Sequence, residues 1–229
     1  MAEEKSAPLA ELREVKKHYQ LGKVTVPAVR GVTLEVTPGE FLALAGPSGS
    51  GKTTLLNLLG FLDTPTEGEV VLDGTVSNGL SAAELALLRR QKIGFVFQSF
   101  NLIPVLDAYE NVELPLLLLD GWPVERRKEA IMQLLAEVGL QGMEHRRPGE
   151  LSGGQQQRVA VARALVKNPA FVLADEPTAN LDSKTGEGIL QLMKQMNKEH
   201  GTTFIFSTHD KQVMDFADRL VNLLDGKIV

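Results

Sequence analysis

Short apolar runs alternate with amphipathic stretches along this chain. Phe41–Ala45, Phe171–Ala174 and Thr203–Phe206 are almost continuously apolar. Such runs predict strands buried on both faces of a parallel sheet. Other segments carry a helical period. Val159, Ala162, Leu165 and Val166 share one face of a helix predicted over Gln155–Val166, which Asn168 and Pro169 stop. Ala130, Ile131, Leu134, Leu135 and Val138 do the same over Val124–Val138, with Glu125–Glu129 as a solvated first turn. Ile189, Leu192, Met193 and Met196 are spaced as the core face of a third helix. Residues 9 to about 45 alternate strand-like runs with turns, and residues 1 to about 8 form a loose polar tail. Trp122, between Gly121 and Pro123, reads as a loop aromatic without a role. There is no internal repeat or low-complexity linker.

Composition narrows the function classes. The 229 residues suffice for one large domain or two small ones, and 43% hydrophobic with 23% charged residues is ordinary globular usage. A formal charge of -5 lacks the global footprint of a duplex-binding protein. The absence of cysteine removes disulfides, thiolate metal sites and cysteine nucleophiles. The most apolar stretch, Leu114–Leu119, is interrupted by Pro115 and is far short of the ~20 residues of a spanning helix. The first residues lead into no apolar signal region, so membrane contact is expected to run through a partner.

Candidate chemistry begins where the first strand ends. Gly46, Pro47, Ser48, Gly49, Ser50, Gly51, Lys52, Thr53 and Thr54 match G-x-x-x-x-G-K-[ST] and run into apolar Leu55–Leu59. The glycines let the backbone curl with its amides inward, and the following helix aims its positive end at the same point. Lys52 can reach terminal phosphates, and the Thr53 hydroxyl can ligate Mg2+. Phe171–Ala174 ends in Asp175, Glu176 and Pro177, and the proline puts Glu176 in an extended or turn conformation. Both acids then lie at the carboxyl end of a strand, where α/β sheets bind ligands. Asp175 would hold the magnesium shell, and Glu176 would orient or deprotonate the attacking water. His209 follows the third strand on the same edge and could donate to a γ-phosphate oxygen. A second glycine-rich helix start, Leu151 to Gln155, places Ser152 as N-cap and exposes the amides of Gly153 and Gly154. With one phosphate loop per chain, this terminus serves either its own site or another subunit's.

Taken together, these residues resemble the ATP-binding-cassette ATPases over nearly the whole chain. The phosphate loop is Gly46–Thr53, the Gln loop holds Gln98, and the signature is Leu151–Gln155. The Walker B strand is Phe171–Asp175 with Glu176 following; the D-loop is Ala179–Asp182 and the switch is His209. The stretches Leu59–Gly68 and Asn101–Val112 look like the branch serving lipoprotein release and macrolide efflux. The resemblance implies an α/β P-loop NTPase (RecA-like) core, an N-terminal antiparallel β subdomain, and an inserted α-helical subdomain. One domain would span 1–229, with the core at about 1–98 and 156–229 and the helical part at about 99–155.

The resemblance also implies ATP and Mg2+ as ligands, with Glu176, His209, Lys52 and Gln98 catalytic. Thr53, Gln98 and Asp175 would hold the metal, Tyr19 would stack on adenine, and Asp182 would join Ser152, Gly153, Gly154 and Gln155 at the nucleotide. A homodimer with ATP at its interface would dock transmembrane permease subunits at the cytoplasmic face of the inner or plasma membrane, through residues around Gln98 to Asn111. No nucleic acid is expected. Two other classes compete: a soluble cassette ATPase acting in DNA repair or translation, and a P-loop kinase or GTPase switch. The single cassette, acidic balance and missing coiled-coil insertion argue against the former, and residues 151–155 against the latter.

Overall fold

The computed structural model describes residues 7–229; all but residues 7 and 8 of the expected polar tail lie outside them. The chain opens with β1 (Ala10–Leu21), β2 (Val24–Val36) and β3 (Phe41–Ala45), and then α1 (Lys52–Leu59). Next come β4 (Glu67–Leu72), β5 (Thr75–Val76), α2 (Ala82–Lys92) and β6 (Ile93–Val96). A helical stretch follows: α3 (Ala108–Leu117), α4 (Val124–Glu137), a 3-10 turn (Pro148–Glu150) and α5 (Gly153–Leu165). The last third holds β7 (Phe171–Asp175), α6 (Ser183–His200), β8 (Thr203–Thr208), α7 (Lys211–Phe216), β9 (Arg219–Leu224) and β10 (Lys227–Ile228).

The larger sheet has the order β10–β9–β3–β8–β7–β6. Strands β9, β3, β8, β7 and β6 are parallel, and β10 folds back antiparallel on β9. Alternate residues of the apolar runs enter two different cores. Phe41, Val172, Ala174, Phe204 and Phe206 face a core built with α3, α4, α5 and α6. Leu42, Leu44, Phe171, Leu173 and Ile205 face a second core shared with β1, β2, β4 and α1. Strands covered on both sides have no solvent face to write as polar, which is why these runs are continuously apolar. The rings of Phe41 and Phe206, centroids 4.4 Å apart, pack across the adjacent strands β3 and β8.

The smaller sheet, β2–β1–β4–β5, is antiparallel. Its extent differs from the expected 9–45. Phe41–Ala45 belongs to the parallel sheet, because a strand buried on both faces does not suit a sheet with one core face. Residues 67–76, not assigned to this sheet from the sequence, join it instead: β4 pairs with β1, and β5 pairs with β4. Both ladders of β1 slip near Glu14, whose φ is 50°, as expected of a bulge that bends the strand.

The helical insertion is less separable than 99–155 suggested. The signature helix α5 runs unbroken across residue 155 and packs on α3 and α4 on one side and β6 and α6 on the other. Its start lies two residues earlier than the periodicity indicated, since Ser152 caps it and both glycines fall in its first turn. The Glu125–Glu129 turn is not simply solvated. Arg127 is paired with Glu113 at 2.9 Å and donates to the Trp122 carbonyl at 2.7 Å. Trp122 itself packs against the helical core with the Arg126 guanidinium 4.3 Å from its ring, so it has a packing role.

The loop leading to α5 is tied to the start of α3. Ala108 N donates to Arg146 O at 2.9 Å and Tyr109 N to Glu144 O at 2.8 Å. His145 Nδ1 lies 2.9 Å from Asp107, the residue that caps α3. The hydrogen bond to Asp107, then the charges of Asp107, Glu144 and Glu110, raise the His145 pKa above the usual imidazole value. A histidine raised in the folded state contributes stability that is fully present below its unfolded pKa and fades as pH climbs through the folded one. His145→Gln should therefore melt below wild type at pH 5.5 and together with it at pH 9. Equal gaps in melting temperature at the two pH values would remove the ion pair from the account.

Candidate functional site

Four parallel strands deliver their carboxyl ends to one edge, and each carries a candidate group. β3 leads into residues 46–51, β7 into Glu176, β8 into His209, and β6 into the turn holding Gln98.

The loop after β3 is shaped by close backbone contacts. Gly46 has φ 153°, and a Cβ there would lie 2.2 Å from Leu223 O. Gly51 has φ 105°, and its Cβ would lie 2.6 Å from Ala28 O. No other residue fits either position. Gly226 N donates to Ser50 O at 3.0 Å, so the turn after β9 holds the loop from below. Lys52, the first residue of α1, is buried and arches over the loop, donating to Gly46 O at 2.7 Å and Pro47 O at 2.9 Å. The buried Ser50 hydroxyl has no partner. The result is a concave, amide-rich cradle with a cation at its rim and a helix N-terminus beneath, the physical description of a phosphate site.

Opposite this cradle, Thr53 Oγ1 donates to Asp175 Oδ1 at 3.3 Å. Ser207 Oγ donates to the same carboxylate oxygen. A threonine hydroxyl beside a carboxylate is a hard-oxygen donor set of the kind Mg2+ prefers. Ser207 thus lies beside these residues too, although it was assigned no role from the sequence. Its signal was its register, directly opposite Asp175 in the β7–β8 ladder.

Glu176 adopts φ 46°, a left-handed turn rather than the extended alternative, and its N–H donates to Ser207 O at 3.1 Å. A non-glycine residue there costs on the order of 1 kcal/mol, held by the fixed strand before it and Pro177 after it. His209 Nδ1 lies 2.8 Å from Glu176 Oε1, so the two residues meet as a pair. A cleft beside them is lined by Glu176, Thr178, Leu181, His209 and Lys211.

Tyr19 is half-buried on β1, and its hydroxyl donates to Asp63 at 2.8 Å. Burial, then that hydrogen bond, raises its pKa. For Asp63 burial acts to raise the pKa, but hydrogen bonds from Lys17 and Tyr19 outweigh it and hold the carboxyl below its usual range. The tether fixes the phenol on β1, which packs against α1.

Gln98 is exposed, and its carbonyl accepts from Asn180 Nδ2 at 2.9 Å. Among the described residues its side chain forms no hydrogen bond to Thr53 or Asp175. Ser152 and Gln155 form a reciprocal capping box. Gly153 lies against Leu181 and Phe100, and a Cβ on Gly154 would meet Thr185 Cγ2 at 2.4 Å. Ser152–Gln155 make no hydrogen bond to residues 46–54 among the described residues. Asp182 caps α6, accepting from Thr185 N at 3.0 Å; its carboxyl pKa is lowered by Thr185. The cradle, Asp175, Glu176 and His209 thus assemble within the chain, while the signature turn is hydrogen-bonded to none of them among the described residues.

A family profile described as ABC transporter matches residues 29–179. An uncharacterized ABC transporter ATP-binding protein of Methanocaldococcus jannaschii is 51% identical over 224 residues, 96% of this chain and 95% of that protein. A lipoprotein-releasing system ATP-binding protein, LolD, of Anaeromyxobacter dehalogenans is 48% identical over 100% of this chain and 96% of its own. A macrolide export ATP-binding/permease protein, MacB, of Syntrophobacter fumaroxidans is 49% identical over 96% of this chain, which spans only 31% of that protein. Among solved structures, a dimeric ATP-binding cassette in a post-hydrolysis state with ADP and Pi matches with TM-score 0.87 and 49% identity, covering 96% of each chain.

Two substitutions separate binding from chemistry. Glu176→Gln should cut ATP turnover by roughly 10²–10⁴ while nucleotide still binds. Lys52→Ala should weaken ATP affinity, since it removes the charge at the cradle's rim. Near-normal turnover in the first variant, or wild-type affinity in the second, would contradict the assignments.

Proposed function

Since the chain belongs to the ABC transporter family, we propose that two copies clamp two MgATP molecules between them and that the permease docks beside Gln98. The chain is an ATP-hydrolysing, nucleotide-binding transporter subunit, similar to the lipoprotein-release and macrolide-export ATPases. The relatives favour this function over a soluble ATPase working on nucleic acid or the ribosome.

In the proposed site, the amides of residues 46–51, the positive end of α1 and Lys52 hold the triphosphate. Thr53 and Asp175 would supply oxygen ligands to Mg2+, joined by Gln98; the bound metal would offset phosphate charge. Glu176 receives the proton of the attacking water, and His209 holds its carboxylate in place before donating to the γ-phosphate. Tyr19 offers its ring to adenine. Catalysis in such a site is chiefly positioning and electrostatics.

The observation that carries the dimer is the separation of the signature from the chain's own cradle. Ser152 is exposed at a capped helix start, with Gly153 and Gly154 in the first turn. Such a terminus favours an anion, and its own chain offers a phosphate loop that it does not touch. A two-fold dimer would satisfy both ends twice. The dimeric cassette with ADP and Pi supports the same arrangement.

Complementation tests this. Gly154 is a poor place to introduce a charge, because any side chain collides with Thr185. Ser152→Asp keeps a good N-cap and adds a carboxylate facing the partner's phosphate. Lys52→Ala and Ser152→Asp homodimers should both fail in single-turnover hydrolysis. A forced heterodimer should recover it, because one site carries both defects and the other none. No rescue, together with ATP hydrolysis by a strictly monomeric chain, would overturn the shared site.

Docking to a permease is supported by an apolar surface around α3. Val105 is 73% exposed, with Ile103, Leu117 and Leu118 also exposed. No helix among the described residues is long and apolar enough to cross a membrane. Membrane association at the cytoplasmic face would therefore come from the partner. Val105→Asp should shift the chain from the membrane to the soluble fraction of its native cell while the purified chain keeps its ATPase rate. Unchanged membrane partitioning would move the docking surface elsewhere.

A further inference from the structure

The turn after Gln98 is strained, and two side chains from distant elements hold it. Phe100 and Asn101 are consecutive non-glycine residues with φ 60° and 49°. Their turn is closed by Phe100 N to Phe97 O at 3.1 Å and Asn101 N to Ser99 O at 2.6 Å. Two successive left-handed residues persist only where the surroundings over-determine them. Arg163, in the last turn of α5, donates one guanidinium nitrogen to Phe100 O at 2.7 Å and the other to Asn101 O. It has no carboxylate partner within salt-bridge distance among the described residues, and burial lowers its pKa. A fork of fixed geometry on two carbonyls specifies the turn more closely than a point charge would. At the other end of α5, the Phe100 ring leans on Gly153. The second tether is Asn180, whose amide donates to Gln98 O. Asn180 lies in the turn that begins at Glu176, where Ala179 N donates to Glu176 O at 3.2 Å and Leu181 N to Thr178 O at 3.0 Å.

We propose that Arg163 and Asn180 are positioning residues that aim Gln98. Arg163 fixes the strained turn to the signature helix, and Asn180 fixes the Gln98 backbone to the Glu176 turn. Gln98 thereby takes its place from both the helix that meets the partner's phosphate and the loop that holds the base. This rests on the reading of Gln98 as a metal-site residue. Any shift of α5 carries the turn with it through two contacts, and the Asn180 bond resists or releases that shift.

The test uses the full chain. Asn180→Ala is at an exposed position and should leave the fold intact; Arg163→Met removes the fork, and Arg163→Lys restores one donor. Without nucleotide or metal, hydrogen exchange at residues 98–102 should speed up in Asn180→Ala and Arg163→Met, and be partly restored in Arg163→Lys. With MgATP, each should lower kcat about 3- to 10-fold, raise the Mg2+ needed for half-maximal rate, and leave ATP affinity near wild type. Placed in a Gln98→Ala background, neither substitution should cost anything further, because both act through that side chain. Full, independent losses in that background, or unchanged exchange at residues 98–102, would overturn the proposal. Wild-type kcat and Mg2+ requirement in Gln98→Ala alone would instead sink the metal-site reading beneath it.

Discussion

The site depends on one close approach of backbone to backbone. Leu223 O occupies the space where a side chain on residue 46 would begin, so β9 and the end of β3 can lie together only because residue 46 is glycine. That contact sets where the phosphate loop starts. Ala28 of β2 presses the loop's far end at Gly51, and the Gly226 amide holds its middle at Ser50. Two segments far apart in sequence, β2 of the antiparallel sheet and the C-terminal hairpin, therefore brace one loop at three points. A cradle braced in this way keeps its amides oriented before any anion arrives, and pre-orientation is what makes such dipoles effective.

The same brace explains how an acidic chain holds an anion. The formal charge of -5 would repel phosphate at long range, but screening confines that effect to a Debye length of about 8 Å at physiological salt. Within the cradle the local terms are Lys52, inward amides and about half a positive charge at the start of α1. They act at contact distance in a partly buried site, so they outweigh the diffuse surface charge. The carboxylates at this edge, Asp175 and Glu176, stand at the end of β7, with Asp175 already accepting from Thr53 and from Ser207 of β8. Acid and cradle thus stand at one edge, an arrangement that would suit the proposed Mg2+ between Asp175 and a phosphate.

Much of this arrangement was legible along the chain because its signals are local. A buried strand written as an unbroken apolar run, followed directly by its functional residues, needs no knowledge of distant contacts. Phe41–Ala45 with the loop, Phe171–Asp175 with Glu176, and β8 with His209 were all readable in this way. What escaped depends on pairing. β4 and β5 join the antiparallel sheet only because β1 has a free edge there. Ser207 matters because of the residue opposite it, and Asn180 and Arg163 because of carbonyls 82 and 62 or 63 positions away. Trp122 looked idle because the arginine that covers it lies on the next helix and the core beneath it is assembled from several.

The signature turn shows why one residue type can answer two demands. Gly154 lies so near Thr185 that packing of α5 on α6 alone would require glycine, even in a protein that bound nothing. Gly153 is different: its nearest neighbours would allow a Cβ at 3.3 Å with a small adjustment of Leu181, so packing alone requires it less strongly. Close approach of backbone amides to a phosphate would add the missing reason. Ser152 separates the demands further, since its capping bond would be served equally by aspartate, yet an anion in front of it would reject that charge. Exposed Ser152 and half-buried Gly153 are therefore the residues of this helix start that packing constrains least, and a phosphate contact of the proposed dimer would account for them.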